Sequence, residues 1–265
     1  MASSAILYTF GYMMNAIVHA SNGDASGFPK ENVLDYNPDT IWRGSAVPPV
    51  IDIDLGTARS VQYLYAFYKN YAEVPGPDLS IFRIYYSDNG SSWTLAEDFL
   101  NEFDQAPHRL FDIGSSLSHR YWRIQFPDLT GGPNIDIAII ACLKKWTVAV
   151  GNSYPENDTT IYHNEIYQAG GGRQYARAIN TLPQIIIPRT YKFVTEANMT
   201  ALQGAFDDSR GSMLPLLLQE GTTNSDIRLV RFSSDQLAKN EIDYQIYNPS
   251  IVFNQIPYID SGHSY

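Results

Sequence analysis

Residues 121–146 read YWRIQFPDLTGGPNIDIAIIACLKKW, and this stretch decides the fold. Its first part alternates apolar with polar side chains, which is the period of a half-buried β-strand. The apolar residues there are Trp122, Ile124 and Phe126. Residues 131–133, Gly-Gly-Pro, predict a turn. Residues 135–143 then form an apolar run of strand length, too short to cross a membrane.

The apolar run at residues 135–143 is expected to close a β domain built by the first half of the chain. No linker rich in Ser, Gly or Pro follows it, so the second half begins almost directly. We place one domain at residues 1–145 and a second at residues 146–265. The short junction predicts that the two domains are held in a fixed relation.

The composition indicates a folded chain whose partners are not nucleic acids. The 265 residues are 44% hydrophobic and 17% charged, which is enough to bury two ordinary cores. The net charge of −10 argues against nucleic acid and against an anionic membrane surface as partners. We also expect no insertion into a membrane. The 19 tyrosines suit β-sandwiches and interfaces. Cys142, the single cysteine, lies in the apolar run and is expected to be buried and unreactive.

The apolar residues 5–20 have two interpretations. They end in Val-His-Ala, which faintly resembles a signal-peptide cleavage site. No Lys or Arg precedes them, however, and polar residues such as Asn15 interrupt the run. We therefore favour a first strand and its connection over a signal peptide.

The rest of the first half reads as short strands separated by turns. Residues 51–55 alternate between apolar side chains and aspartates, and Gly56 is expected to end that strand. Residues 61–68 are apolar on both faces, which predicts a central strand. Asn89-Gly90 between two further strands predicts a hairpin. The pattern favours an antiparallel sandwich.

Four short motifs follow one another in this half. They are Leu34-Asp35-x-Asn37-x-x-Thr40-x-Trp42, Asp54-Leu55-Gly56, Tyr86-Ser87-Asp88-Asn89-Gly90-x-x-Trp93 and Tyr121-x-Arg123-Ile124. In this order they resemble the discoidin, or coagulation-factor type C, domain over about residues 20–145. The resemblance implies a jelly-roll β-sandwich whose loops at one end often bind glycans or lipids.

The resemblance also implies a candidate calcium site. Asp35, Asn37 and Thr40 match the positions that supply it in many members, and a hard cation prefers oxygen ligands. The late strand usually adds a glutamate, and Ile139 stands there in this chain. The alternative is an Asx-type turn that bonds its own backbone. We expect no required cofactor, with structural Ca²⁺ as the open alternative.

Loop residues of the same half are candidates for binding a sugar. They are Asn22, Phe28, Arg43, Asn70 and Tyr71. Together they would present an aromatic face and polar groups to a host surface glycan. The alternative is ordinary loops, or loops that contact a neighbouring subunit.

The second half is predicted to be a set of β-strands with one α-helix, residues 195–210, packed on the sheet. Thr195 can cap the helix and Gly211 suits the left-handed position after it. The apolar face of the helix is Met199, Leu202 and Phe206. Strands are expected at 161–167, 173–179, 185–187, 190–194, 214–218, 227–232, 241–247 and 251–256. The glycines at 170–172 fit a hairpin better than a phosphate-binding loop, because no Lys-Ser/Thr helix follows.

This half resembles the tail proteins of tailed bacteriophages. The resemblance rests on Pro188-Arg189, the Thr-Glu-Ala start of the helix, Ser209-Arg210-Gly211, Leu214-Pro215-Leu216, Leu229-Val230-Arg231-Phe232 and the final pair Tyr244–Phe253. It implies a β-sandwich or β-barrel crossed by one α-helix. It also implies a minor tail protein at the distal tail or tail tip, with the discoidin-like domain as decoration. The implied partners are further copies in a ring, trimer or hexamer, and other tail proteins. The implied location is the virion tail, after synthesis in the host cytoplasm.

No catalytic constellation is evident in the sequence. The five histidines lack metal-ligand spacing, no G-x-S-x-G motif occurs, and Asp52 and Asp54 read as structural. We therefore expect no enzyme. The leading hypothesis is a structural phage-tail protein near the distal end of the tail that assembles into a ring and carries the discoidin-like domain as decoration. Contact of that domain with host surface glycans is compatible with this role. The alternatives are a glycan-binding adhesin or carbohydrate-binding module without catalytic activity, and an accessory module of a carbohydrate-active enzyme.

Overall fold

A computed structural model describes most of the chain. It covers residues 5–22, 24–44, 48–69, 81–100, 108–126, 135–148, 157–161, 164–168, 174–178, 183–220 and 226–257. The described chain is mainly β with one α-helix, which confirms the predicted fold class. Two compact units are present. The first unit is mainly Tyr8–Lys145, and the second is mainly Trp146–Gly221 and Arg228–Ile259 with Met1–Leu7.

Antiparallel strands form the first unit. Strands β1 to β8 are Ala5–Thr9, Ile17–Asn22, Trp42–Gly44, Val50–Tyr68, Ile81–Ser87, Thr94–Leu100, His108–Gln125 and Ile135–Val148. The first three residues of β1 and the last three of β8 belong to the second unit. Two short 3-10 helices, Gly11–Met13 and Lys30–Leu34, connect the early strands. The main sheet order is β6-β5-β7-β4-β8, with β2 paired to β4 and β3 paired to β8.

The two strand segments within residues 121–146 contribute much of the core of this unit. Trp122 and Ile124 on β7 are buried, and they lie opposite Ile53 and Ile51 on β4. Residues 135–143 on β8 are all buried, as the apolar run predicts. The turn expected at 131–133 lies outside the described residues. Strand β4 pairs with both β7 and β8, which confirms the prediction of a central strand.

Gly56 does not end its strand, and that prediction is wrong. Strand β4 continues to Tyr68, and the register against β7 shifts between Asp54 and Arg59. Gly56 has φ +75°, a conformation that glycine adopts without steric strain, so the chain bulges there instead of leaving the sheet. Asp54 Oδ1 accepts a hydrogen bond of 2.7 Å from the Gly56 N–H and holds the bulge.

The two aspartates of this strand are buried ion-pair partners. Arg123 donates two hydrogen bonds to Asp52, at 2.6 and 2.8 Å. Arg120 donates two to Asp54, both at 2.7 Å. Hydrogen bonding from Arg120 holds the pKa of Asp54 below its usual value, against the effect of burial. Each carboxylate is thus committed to an arginine, which agrees with a structural role.

The Asn-Gly hairpin forms as predicted. Strands β5 and β6 pair in an antiparallel hairpin, and Gly90 has φ +69° at its turn. The Asn89 side-chain oxygen accepts the N–H groups of Ser91 and Ser92, each at 2.9 Å. After the turn, the Trp93 ring lies 4.1 Å from the Arg123 guanidinium carbon. The arginine that binds Asp52 is therefore covered by an aromatic ring.

The second unit contains a main sheet, two small sheets and the helix. Strands β9 to β18 are Thr159–Ile161, Asn164–Gln168, Gln174–Ala178, Gln184–Thr190, Val194–Thr195, Leu216–Gln219, Ile227–Phe232, Glu241–Asp243, Ile246–Tyr247 and Ser250–Gln255. Helix α1 is Glu196–Asp208. The main sheet order here is β14-β15-β18-β12-β9; β10 and β11 form a hairpin, and β13-β17-β16 form a three-stranded sheet.

Helix α1 packs its predicted face into the core of this unit. Met199, Leu202 and Phe206 are buried. The Phe206 ring makes an edge contact with Phe232, at 5.1 Å between centroids. The sequence did not indicate that the N-terminal residues Ala5 and Leu7 belong to the same core, but they do.

Thr195 lies at the N-cap position but does not cap the helix with its side chain. Its hydroxyl instead accepts a hydrogen bond of 3.1 Å from the Asn198 side chain. The other end of the helix follows the prediction. Gly211 has φ +62°, and its N–H donates to the Phe206 carbonyl at 3.0 Å.

The strand predicted at 241–247 is instead a hairpin of β16 and β17. Gln245 takes φ +56° between them, and its N–H donates to the Glu241 carboxylate at 3.2 Å. Asp243 also accepts the N–H of Tyr244, at 2.7 Å. These local side-chain contacts compete with a straight strand, so the period-2 pattern is misleading here. As a result Ile242 and Tyr244 are exposed, 51% and 80% respectively.

Candidate functional site

The turn at residues 35–40 closes on itself. Asp35 accepts hydrogen bonds from the Asn37 N–H at 2.8 Å and from the Thr40 hydroxyl at 2.7 Å, one on each carboxylate oxygen. The Asn37 side-chain oxygen accepts the Asp39 N–H at 3.0 Å. This is the geometry of the Asx-type turn that the sequence left open as the alternative to a calcium site.

A lysine ammonium also binds this turn. Lys69 Nζ donates to the Pro38 carbonyl oxygen at 2.7 Å and lies 3.3 Å from an Asp39 carboxylate oxygen. Ile139, at the place where a glutamate is expected, is fully buried. In the part of the chain that the structure describes, no three His, Cys, Asp or Glu side chains are grouped to hold a metal ion. The oxygens of the turn are thus engaged by donors of the chain itself, which does not fit the calcium site that the resemblance implies.

Two of the loop residues proposed to bind a sugar are brought together. The Arg43 guanidinium carbon lies 4.3 Å from the centre of the Phe28 ring. The same guanidinium donates to both carboxylate oxygens of Asp136, at 2.6 and 2.7 Å. Arg43 and Asp136 are opposite each other in the pairing of β3 with β8, so the sheet register sets this ion pair.

Asn22 lies at the end of β2 and ties down a neighbouring loop. Its side chain donates to the Pro48 carbonyl at 3.2 Å and accepts the Val50 N–H at 2.6 Å. Both ends of the amide are therefore used to hold backbone. Asn22 therefore stabilises the loop instead of offering its amide to a sugar. The other two candidates, Asn70 and Tyr71, lie outside the described residues.

The buried ring of Trp42 holds the loop that precedes β3. Trp42 is fully buried, and its indole N–H donates to the Asp24 carboxylate at 2.8 Å. Asp24 also accepts the Ser21 hydroxyl at 2.6 Å, and it bridges to Gly44 through the backbone. Phe28 therefore lies in a loop that is fastened at several points, and Arg43 lies on the short strand β3, where the sequence predicts a loop.

Asp136 is the residue of this region that sequence reasoning missed. It is the one carboxylate in the apolar run at residues 135–143, and its side chain is only 10% exposed. A buried carboxylate needs a partner, so its position in the run was a usable signal. Nothing local indicated that Arg43, 93 residues away along the chain, would be that partner.

We call Phe28, Arg43 and Asp136 the arginine cluster. The Arg43 side chain is 31% exposed and lies against an aromatic ring, while its carboxylate partner is buried behind it. The cluster therefore offers hydrogen-bond donors in a fixed plane beside an apolar surface. Its charge is balanced internally by Asp136, so it provides no net attraction for a strongly anionic ligand.

Residues 16–143 match the sequence model of the F5/8 type C domain. The N-terminal half is an F5/8 type C, discoidin-like domain. The match agrees with the order of the four motifs and with the antiparallel strands of the first unit. It ends before the second half, so the resemblance of that half to phage tail proteins stays a prediction. A search of curated proteins found no match for the chain.

Three solved structures with limited likeness are carbohydrate-binding modules. The family 32 module of C. perfringens NanJ in complex with galactose is 18% identical, covering 52% of this chain and 99% of its own, at TM-score 0.41. The AlyQ module in complex with 4,5-unsaturated mannuronic acid is 22% identical, covering 48% and 95%, at TM-score 0.40. A chitosan-binding module from Paenibacillus sp. IK-5 is 13% identical, covering 51% and 99%, at TM-score 0.42. At this level of similarity the assignment of the domain rests on the family match and not on these structures.

Among the described residues, no helix is both long enough and apolar enough to cross a membrane.

Proposed function

We propose that the first unit binds a glycan at the arginine cluster. The observation that carries the proposal is the Arg43 guanidinium, fixed by two hydrogen bonds to Asp136 and packed on Phe28 at a loop end of a discoidin-like domain. Sugars present apolar C–H faces and rings of hydroxyl groups. An aromatic ring next to oriented donors suits both features.

Preorganisation supports this assignment. A free arginine loses about 2 kcal/mol of side-chain entropy when it is ordered, and here Asp136 has ordered it before any ligand arrives. The internal charge balance of the cluster favours a neutral sugar over an acidic one.

The test is binding of sugars to the full chain. We expect galactose or a related neutral sugar to bind, measured by a glycan array and then by titration calorimetry. Arg43→Met should weaken binding at least about tenfold, because a hydrogen bond to a charged group is worth about 1.5–3 kcal/mol. Phe28→Ala should also weaken it, without a charge change.

Arg83→Met is the matched control for this experiment. Arg83 also pairs with an aspartate in the first unit, Asp98, at 2.9 Å. It should leave sugar binding unchanged. If the native chain binds none of the sugars, or if Arg43→Met and Arg83→Met bind equally well, the proposal is wrong.

For the second unit we propose a role in assembly, as in the structural tail protein that its sequence resembles. Support comes from exposed apolar side chains around its three-stranded sheet. Phe193, directly before β13, is 67% exposed, and Ile242 and Tyr244 on the hairpin are 51% and 80% exposed. Exposed aromatic residues next to uncovered strand edges are typical of protein interfaces.

The oligomeric state in solution tests this second role. Light scattering should give a closed oligomer such as a trimer or hexamer, and Tyr244→Ser with Ile242→Ser should shift it towards monomer. Met213→Ser is the control, because Met213 is 60% exposed but lies outside the hairpin. A native chain that is monomeric at all concentrations, and absent from purified phage particles, would rule out a ring in a virion tail. We propose no catalytic activity for either unit.

A further inference from the structure

One lysine reaches across the first unit to the turn at 35–40. Lys69 directly follows β4, and its backbone N–H donates to the Asp136 carbonyl at 2.8 Å. Its ammonium reaches the Pro38 carbonyl at 2.7 Å and the Asp39 carboxylate at 3.3 Å. Its side chain is 20% exposed, whereas that of Asp39 is 57% exposed. A single residue therefore connects the turn to strand β8.

We infer that the ammonium of Lys69 takes the place of a structural metal ion at this turn. A calcium ion takes six to eight oxygen ligands from carboxylates, carbonyl groups and water. Here the two oxygens of Asp35 accept bonds from Asn37 and Thr40, and the Pro38 carbonyl accepts one from a lysine. The positive charge that orders the turn is thus part of the polypeptide.

The same contacts connect the turn to the arginine cluster. The carbonyl of Asp136 holds the Lys69 backbone, while its carboxylate holds the Arg43 side chain. The internal cation therefore fastens the turn to the strand that carries the cluster, and no metal ion is needed for that order. This inference concerns the turn and does not depend on what the cluster binds.

The test measures calcium binding and thermal stability, and does not use sugar binding. Equilibrium dialysis of the native chain against about 2 mM CaCl₂ should show no bound calcium, and melting temperatures in CaCl₂ and in EDTA should agree. Lys69→Met should lower the melting temperature by about 2–6 °C, since a charged hydrogen bond to the turn is lost. Lys69→Arg should keep most of that stability.

Lys30→Met is the matched control, since Lys30 begins a short helix in the same unit. Its melting temperature should be close to that of the native chain. The inference is overturned if the native chain binds calcium or is stabilised by it, or if Lys69→Met and Lys30→Met melt at the same temperature. If Lys69→Met fails to fold, two measurements still test the inference. They are calcium binding by the native chain in dialysis and the melting temperature of Lys69→Arg.

Discussion

Asp54 shows how a charged side chain becomes part of a β-sheet. Its side chain is 7% exposed, and its carboxylate receives two hydrogen bonds from Arg120 and one from the Gly56 N–H. These bonds stabilise the charged form, so the pKa of Asp54 is lower in the folded protein than in the unfolded chain. The residue thereby links the stability of the bulge to pH.

Asp54→Asn should lower the stability of the first unit at neutral pH. It should also make the free energy of unfolding depend less on pH in the acidic range. Because the folded-state pKa is depressed, the charged form contributes stability above the unfolded value of about 3.9. That contribution is lost as the pH falls through the lower folded value. Urea unfolding at pH 7 should show a loss of about 1–3 kcal/mol, and the difference should narrow at pH 3.

Asp98→Asn serves as the control for this measurement, because the Arg83–Asp98 pair is more exposed, 36% on each side. Exposed pairs contribute at most about 1 kcal/mol. Equal losses for the two variants, or an Asp54→Asn loss that is the same at both pH values, would contradict the assignment.

Gly204 illustrates a glycine required by packing rather than by backbone conformation. It lies inside α1, and an added Cβ would come within 2.6 Å of Trp146 Cζ3 and 2.8 Å of Cζ2. The Trp146 ring cannot easily retreat, because its N–H donates to the Asp208 carboxylate at 2.8 Å.

Gly204→Ala should therefore destabilise the second unit, although the same change in an open helix stabilises by about 0.5–1 kcal/mol. We expect a loss of about 1–3 kcal/mol from overpacking, measured by urea unfolding. Thr200→Ala, at an exposed position of the same helix, should be neutral or slightly stabilising. A stabilised Gly204→Ala would show that the ring moves freely.

At the scale of elements, α1 is held by its apolar face. Its N-cap threonine makes no capping hydrogen bond, so the start of the helix lacks this local support. The buried face instead packs on β15 and β18, where Phe232 lies between Phe206 and Phe253 with both centroid distances at 5.1 Å. Tertiary packing therefore supplies most of the stability of this helix.

Phe206→Ala should lower the free energy of unfolding of the second unit by about 3–5 kcal/mol, because the ring is nearly fully buried and its loss leaves a cavity. Chemical denaturation followed by circular dichroism measures this. Thr195→Ala should change stability by less than about 0.5 kcal/mol, since the hydroxyl does not cap the helix. A larger loss of stability for Thr195→Ala than for Phe206→Ala would contradict the conclusion that packing, and not capping, stabilises α1.

At the scale of the whole molecule, the two units are not simply the two halves of the sequence. Ala5 and Leu7, at the start of the chain, are buried in the core of the second unit with Val148, Leu216 and Leu218. The second unit is therefore assembled from both ends of the polypeptide. Its core is incomplete in residues 146–265 alone.

Leu7→Ala in the full chain should weaken the second unit, although the change lies far from it in sequence. Removal of a fully buried leucine side chain should lower stability by about 2–5 kcal/mol. Hydrogen exchange should show faster exchange in α1 and β15 than in the native chain, with β7 changed less. Leu95→Ala, at a position 45% exposed in the first unit, is the control. Faster exchange confined to β7 would contradict the placement of Leu7.

The local pattern of the sequence determined the elements and the family of the first half. Apolar periodicity predicted β7, β8 and the buried face of α1, because a side chain's burial follows from its own position on a strand or helix. The hairpin at Asn89-Gly90 followed from glycine's freedom at positive φ. The order of the four motifs identified the discoidin-like domain that the family match bears out.

Only the tertiary structure decided which distant residues meet. The Arg43–Asp136 pair joins positions 93 residues apart, and Leu7 joins a core built by residues beyond 145. Sheet register sets such contacts, and register depends on pairing between strands that share no local signal. The hairpin at Gln245 escaped prediction because a period-2 pattern continues through a positive-φ residue unchanged, while the chain direction does not. At Gly56 the error was the opposite one: a glycine that suggests a strand end is accommodated as a bulge, and β4 continues to Tyr68.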